Sequence, residues 1–340
     1  MKKIGAAIRL LDDFAALLFT IRSGLRERPF VKPFGRPGFQ GGPMTKFLQI
    51  QPIAADRNAP YSAVFCFSSV SVPLFLLRVL KLFGVRVLVN QNGVYYPAWY
   101  PKGYQRKNRY LRRLNALADH SFFQSRFALE SYREWVGAPP VNHSILHNGV
   151  DLVKFYPDES RARDSARVRL LVFTDVSEFT RPVWRYVLGL MKSQEVKGVS
   201  WVFAGRILSP ETFQELGLDG LGAETHFDVP PGEVPALLRG CDLALHLIYN
   251  DVCPNKVLEC LASGVWVIGT ATGGTEELLE GTGAVLSVAR GYGEPQFPPH
   301  QALAAAIAEF SARPETCLAR ARAQAERFGI EDWYRTVEKA

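Results

Sequence analysis

Residues Asn250–Leu279 read NDVCPNKVLECLASGVWVIGTATGGTEELL. Pro254 or Asn255 opens a helix that runs to Ala262, because proline suits a first helical turn, where its missing N–H costs nothing. The apolar run Val265–Gly269 that follows reads as a buried strand. Thr272-Gly273-Gly274-Thr275 then leads into a second, short helix ending at Leu279, with Thr275 expected to cap it. The paired glycines let backbone approach a ligand closely. Asp251 falls in the loop before the first helix, and Glu259 one turn inside it. The backbone amides of Asn255 and Lys256 point outward at a helix N-terminus, an end that favours phosphate. Taken singly, Glu259 is also what a solvated helix residue looks like, and Gly273-Gly274 what a turn looks like. Two anion-ready helix starts in succession on one sheet edge point to a ligand site.

Working outward from this stretch, short apolar runs alternate with helical patterns. Strands are expected at Arg28–Lys32, Ala63–Phe67, Arg86–Asn90, His120–Phe123 and His143–Leu146. A second series lies at Val168–Thr174, Ser200–Ala204, Thr225–Val229, Leu243–Leu247, Val265–Gly269 and Gly283–Leu286. Helical patterns fall between them, at Val72–Phe83, Tyr104–Ala118, Arg126–Trp135, Pro182–Lys192, Glu233–Arg239 and Asn255–Ala262. Such alternation predicts an α/β fold with parallel sheets covered on both faces. Two series make two doubly wound, Rossmann-like domains, residues 1–150 and 151–328, joined near Asn148-Gly149. In such folds ligands bind beyond the carboxyl ends of the strands. The tail is helical, and its last amphipathic piece, Ile330–Lys339 within 329–340, is expected to cross back to the first domain.

The chain has 340 residues and a net charge of +7. That charge is divided: residues 1–150 hold 21 Lys and Arg against 7 Asp and Glu, and residues 151–340 hold 19 against 26. The densest basic run is Lys102, Arg106, Lys107, Arg109, Arg112 and Arg113, interleaved with Tyr100, Tyr104 and Tyr110. It suits a solvated helix face, or contact with anionic lipid head groups or a phosphorylated acceptor. No nucleic-acid motif accompanies it, so no nucleic-acid partner is expected. Five cysteines without a CxxC pair fit neither a disulfide framework nor a zinc site, and a reduced, cytoplasmic protein is the simplest reading. No apolar run reaches the ~20 residues of a membrane span. Ile4, Ala7, Ile8, Leu11, Ala15, Leu18 and Leu25 recur at helical spacing. They predict an amphipathic helix within 1–28 that either docks on its own domain or lies on a membrane surface.

Asp251-x7-Glu259, the following LASGVWVIGTATGGTEEL and the junction HNGVDLVKFYP resemble the retaining GT-B glycosyltransferases of family 4. The segments HFDVPPGEVPALLRGCDLALHL, FGRPGFQGGPM and ADHSFFQSRF resemble further parts of that family. The resemblance spans most of residues 29–335 and is strongest over 225–280. It implies two Rossmann-like domains facing across a cleft. It also implies transfer of a sugar from a nucleotide-diphosphate donor to an acceptor hydroxyl with retention of configuration.

Carried over by position, the resemblance makes Glu259 a partner of the nucleotide ribose and Asp251 a partner of the transferred sugar, where the family usually has Glu. Lys256 and Asn255 would meet the diphosphate, and Gly273, Gly274, Thr275 and Glu277 would line the donor pocket. The family's Arg and Lys after the first strand of the second domain are replaced here by Asp175 and, as the nearest cation, Arg181. Arg206 is a second source of the missing charge. In the first domain Gly41 and Gly42 would approach the donor, and Asn92 and Gly93 the acceptor side. Asn92 stands where relatives often carry His and cannot act as a base. No cofactor or metal is implied, and catalysis would be positioning plus charge stabilisation. The basic first half suggests an anionic or lipid-linked glycan acceptor met at the inner face of the cytoplasmic membrane. The alternative is a catalytically impaired sugar-nucleotide-binding subunit, which Asp175 and Asp251 favour.

Overall fold

The computed structural model describes residues 31–34, 62–161, 167–193, 195–219 and 221–340. The amphipathic helix expected within 1–28 and the pair Gly41-Gly42 lie outside the described residues. The chain divides into two compact units, residues 1–149 with 330–340, and residues 150–329.

In the first unit β1 (Val31–Phe34), β2 (Ala63–Phe67), β3 (Arg86–Gln91), β4 (His120–Phe123) and β5 (His143–Ile145) form one parallel sheet in sequential order. Sequential order means that every crossover steps the same way across the sheet, so right-handed connections put their helices on one face. These helices are α1 (Leu74–Leu82), α2 (Tyr104–Asn115) and α3 (Arg126–Trp135). Among the described strands of this sheet the order shows no reversal. Val64, Cys66, Val87 and Val89 meet Leu76, Leu77, Leu80 and Leu114 on the α1–α2 side. Alternate residues of the same strands, Phe65, Phe67 and Leu88, face the other way and pack on α11 (Ile330–Lys339) through Trp333, Tyr334 and Val337. The period of two along a strand supplies both layers. Gly149 lies against α11, where a Cβ would come within 2.7 Å of Ile330 Cδ1.

The second unit holds β6 (Val168–Phe173), β7 (Val199–Gly205), β8 (Glu224–Phe227), β9 (Leu243–His246), β10 (Trp266–Thr270) and β11 (Ala284–Leu286). Their spatial order is β11-β10-β9-β6-β7-β8, parallel throughout, so the winding reverses between β6 and β9. Around them lie α4 (Arg181–Ser193), α5 (Pro210–Leu216), α6 (Val234–Arg239), α7 (Asn255–Ala262), α8 (Thr275–Leu278), α9 (His300–Ala312) and α10 (Pro314–Glu326). The central strands β9 and β10 are buried throughout, which is why they read as continuous apolar runs. The chain enters this unit at Val150 and leaves it at Gly329, and the two residues pair side by side, with Val150 N donating to Phe328 O at 2.8 Å. Among the described residues no helix is long and apolar enough to cross a membrane.

Trp333 is almost fully buried, with its ring edge-on to Phe65 at 5.5 Å. Trp333→Ala should therefore lower stability by about 3–5 kcal/mol in urea unfolding, the cost of a large cavity in a closed core. A loss under about 1 kcal/mol would show that α11 does not seal this sheet.

Candidate functional site

The reversal between β6 and β9 opens a crevice at the carboxyl edge of the second sheet, the place where such folds take ligands. The residues just beyond those two strands hold most of the charged groups singled out in the sequence.

Asp175 follows β6. Its own carbonyl is fixed by the Thr180 hydroxyl at 2.5 Å and the buried Trp184 indole N–H at 3.3 Å. Its carboxylate accepts from Lys256 Nζ at 2.8 Å, Arg206 N at 3.1 Å and Arg206 Nε at 3.1 Å, with Arg206 Nη2 as a further donor. Burial acts to raise the Asp175 pKa, but the Lys256 charge and the hydrogen bonds from Arg206 and Lys256 outweigh it and bring the group down to about 2. Lys256 Nζ also lies 4.4 Å from the centre of the Phe173 ring. The cluster depends on Gly205, whose φ of +151° and close approach to Thr174 O exclude a side chain: a Cβ would stand 2.2 Å from that oxygen.

Asn255 is the first residue of α7, with Pro254 in extended conformation before it, so the helix start falls where the sequence puts it. Lys256 and Glu259 lie three residues apart on this helix. Glu259 is half-buried. Burial lifts its pKa to about 7, against the opposing pull of Lys256 and Lys154. Asp251, partly exposed, has its carboxylate 3.5 Å from Nε2 of His246, the last residue of β9. His246 is buried, and its Nε2 makes no hydrogen bond.

One sequence expectation, the Thr275 cap, is corrected in this region. Gly273 and Gly274 make their close approach to Asp251. Gly274 N donates to Asp251 O at 2.8 Å, and a Cβ on Gly273, at φ +66°, would fall 2.1 Å from the same oxygen. The glycines thus hold the Asp251 backbone in place, and the Gly274 amide is already engaged. Thr275 is not a cap. Gly274 occupies the cap position, Thr275 is the first helical residue, and its methyl fills the space beside Gly269 while its buried hydroxyl makes no hydrogen bond. Glu277 is half-buried in the first turn of α8.

Arg181 stands apart from the Asp175 cluster. Its guanidinium pairs with Glu178 and, at 3.3 Å, with Glu215, which also holds Arg185 at 2.5 Å. Of the two cations considered for the missing charge, Arg206 is the one beside Lys256. His246 and Lys154 were missed at the sequence level. His246 ends the strand before the motif, and Lys154 lies in the Asn-Gly-Val-Asp junction, so position was the available signal for both.

In the first unit Asn92 and Gly93 follow β3 at the carboxyl edge of its sheet. Asn92 N donates to Ser68 Oγ at 2.9 Å, and its buried Oδ1 makes no hydrogen bond. Gly93 O accepts from Gln91 Nε2 at 2.6 Å. Gln91 belongs to a buried amide network in which Asn115 Nδ2 donates to Gln91 Oε1 at 2.9 Å and Ser121 Oγ to Asn115 Oδ1 at 2.8 Å.

Residues 188–327 match the family model described as Glycosyl transferases group 1. A search of curated protein sequences gives no match. Among solved structures, HepE of Anabaena in complex with UDP-glucose is 15% identical, with a TM-score of 0.65 over 92% of this chain and 100% of that one. Sucrose-phosphate synthase from Thermosynechococcus elongatus is 16% identical, with a TM-score of 0.65 over 85% of this chain and 75% of that one. WaaG, a glycosyltransferase involved in lipopolysaccharide biosynthesis, is 17% identical, with a TM-score of 0.60 over 91% of this chain and 98% of that one. At these identities the structural likeness is one of fold, the two-domain GT-B architecture. The indication of activity class comes from the family match: residues 188–327, within the second unit, match a glycosyl transferases group 1 domain, which indicates a glycosyltransferase.

The two perturbed carboxyls act on stability with opposite sign. Between the ordinary carboxylate range and about 7, the folded chain keeps the Glu259 proton that the unfolded chain releases, so stability falls as pH rises through that window. Glu259→Gln should remove this slope and add about 1–3 kcal/mol at pH ~8, discounted for its partial exposure. Asp175 contributes stability that is present above its ordinary pKa and lost as pH falls through about 2. Asp175→Asn should cost about 1–3 kcal/mol at neutral pH, because it leaves Lys256 and Arg206 facing each other without the carboxylate. Urea unfolding across pH tests both, and an unchanged slope in Glu259→Gln contradicts the raised Glu259 titration.

Proposed function

We propose that this chain is a retaining glycosyltransferase of the family 4 type that uses a nucleotide-diphosphate sugar. The observation that carries the reading is the company kept at the switch point: Lys256 and Arg206, the start of α7, and a half-buried carboxyl one turn inside that helix. A diphosphate suits the cations and the helix end. Glu259, ionised above pH ~7, would accept two hydroxyls of a ribose, and hydroxyl donors would in turn favour its charged form. Asp251, with its backbone fixed by Gly273 and Gly274, would hold hydroxyls of the sugar. HepE is solved with UDP-glucose, which puts UDP first among the nucleotides to test.

In the proposed step the bond between the sugar anomeric carbon and the departing phosphate oxygen breaks. The acceptor hydroxyl oxygen forms its bond to the same carbon on the same face, and its proton passes to the departing phosphate. No enzymic nucleophile is needed, so the protein's part is placement and charge stabilisation. Lys256, Arg206 and the helix end would take the leaving-group charge without a metal, and a chelator should leave turnover unchanged. The acceptor we infer is an anionic or lipid-linked glycan in polysaccharide or lipid-sugar synthesis, at the inner face of the cytoplasmic membrane, because the first half of the chain is strongly basic. Asn92 would contact it as a hydrogen-bonding group.

A second reading, a catalytically impaired sugar-nucleotide-binding subunit, is favoured by one observation: Asp175 neutralises the cations the diphosphate needs. Thermal shift against UDP, GDP and ADP, followed by donor hydrolysis and product anomer analysis by NMR, separates the two. The enzyme reading expects stabilisation, turnover and a retained anomer. The subunit reading expects stabilisation without turnover, and no stabilisation by any nucleotide defeats both. Glu259→Ala should weaken nucleotide binding about tenfold to hundredfold, the loss of hydrogen bonds to a charged acceptor.

A further inference from the structure

The outer surface of the first unit carries a combination that the donor site does not use. α1 is apolar nearly all round, LFLLRVLKL. Leu76, Leu77 and Leu80 face the sheet. The opposite side, which in a surface helix is ordinarily polar, presents Phe75 at 62% and Leu82 at 85% exposure, and Phe83 just beyond the helix is 46% exposed. Phe75 and Leu82 are two turns apart, hence on one stripe, with exposed Arg78 between them.

α2 lies in the same layer. It shares the α1 core through Leu114 and Tyr110, and Tyr110 Oη accepts from Val72 N at 2.8 Å on the approach to α1. Its outward residues are Arg106, Arg109 and Arg113, all exposed and without an ion pair among the described residues. The loop before it exposes Trp99 and Tyr100, with the Trp99 ring stacked on Tyr95 at 5.2 Å. No Asp or Glu occurs between Asp56 and Asp119. Bulky apolar side chains and arginines thus share the outward side of α1 and α2, two helices with no Asp or Glu of their own, while Asp119 beyond α2 pairs with Lys81.

We propose that this α1–α2 face docks on an anionic lipid bilayer, with Phe75, Leu82 and Phe83 entering the head-group boundary and Arg78, Arg106, Arg109 and Arg113 meeting lipid phosphates. Charge complementarity selects the partner. A water-facing apolar stripe loses exposed surface on entering the boundary, and the arginines beside it supply the long-range attraction. A second copy of this chain would bring arginines against arginines, which argues against self-association here. The proposal deepens the lipid-linked acceptor reading by naming the face. Vesicle binding needs neither donor nor acceptor, so its failure with UDP binding intact overturns this inference alone.

The test is co-sedimentation of the full chain with vesicles of phosphatidylglycerol and phosphatidylcholine in equal parts, and with phosphatidylcholine alone. The wild type is expected to bind the mixed vesicles and not the neutral ones. Arg106→Glu/Arg109→Glu/Arg113→Glu should lose about tenfold or more of that binding. Phe75→Ser/Leu82→Ser should weaken it while unfolding at an unchanged temperature, since both side chains are exposed. Absence of binding to the mixed vesicles, or equal binding by the wild type and both folded variants, overturns the proposal. So does a wild-type dimer that Phe75→Ser/Leu82→Ser converts to a monomer, which would make the face a self-association surface. Binding of a single-stranded oligonucleotide that competes with the vesicles overturns the choice of lipid.

Discussion

The parallel pairing of β6 with β9 is the constraint on which the site depends. Leu170, Leu171 and Val172 stand opposite Leu243, Ala244 and Leu245, although about seventy residues separate the two strands in the chain. That pairing sends the connections after β6 and β9 to opposite sides and leaves the space between them open at the carboxyl edge. Asp175 and Asp251 therefore issue from neighbouring strands into one crevice. Two glycines fix the walls. Gly205 lets β7 lie against Thr174, and Gly273 lets the α8 entry lie against Asp251. Neither position tolerates a Cβ, so each loop is held by main-chain contact rather than by side-chain packing.

Within that crevice two carboxyls are perturbed in opposite senses by the same lysine's surroundings. Asp175 touches Lys256 directly and is held ionised. Glu259 feels Lys256 without a hydrogen bond to it, so burial dominates and its proton is retained to about neutral pH. The site thus keeps its permanent negative charge against the cations and its switchable one on Glu259. A ligand bringing its own negative charge competes with Asp175 for Lys256 and Arg206. One bringing hydroxyl donors meets Glu259 as an acceptor waiting to be ionised. A diphosphate joined to a ribose offers both groups on one molecule.

Much of this was legible in the sequence because its signals are local. Apolar runs bounded by glycine gave the strands of the second unit to within a residue or two at most ends, and Pro254-Asn255 marked the α7 start. What escaped was of two kinds. The helix α5 passed unread although Ser209 caps it, Pro210 opens it and Gly217 closes it in the left-handed region. At seven residues it is too short to show a period. The other misses depend on tertiary contact. A Gly-Gly pair near a helix start signals close backbone approach, but not to what, and the partner proved to be Asp251 itself. Arg181 and Arg206 are equally plausible cations along the chain, and only the β6–β7 register sets Arg206 beside Asp175 while glutamates claim Arg181. Sheet order is likewise invisible to periodicity, so the sequential first sheet and the reversing second one read alike.

The uneven charge follows from these placements. Residues 151–340 are net acidic, yet two acidic groups near their crevice are offset: Asp175 is spent on two cations, and Glu259 is held near its protonated form. The local field at the α7 start is accordingly less negative than the sum implies. Among the described residues of the first unit Arg106, Arg109 and Arg113 make no ion pair, and along α2 they are turned outward. Arg112 is the exception that shows the rule: its guanidinium is drawn in to Val136 O, where it ties α2 to the end of α3. The arginines left beside it have no such carbonyl to satisfy. With the exposed stripe of α1 next to them, they form a surface suited to something negatively charged and partly apolar.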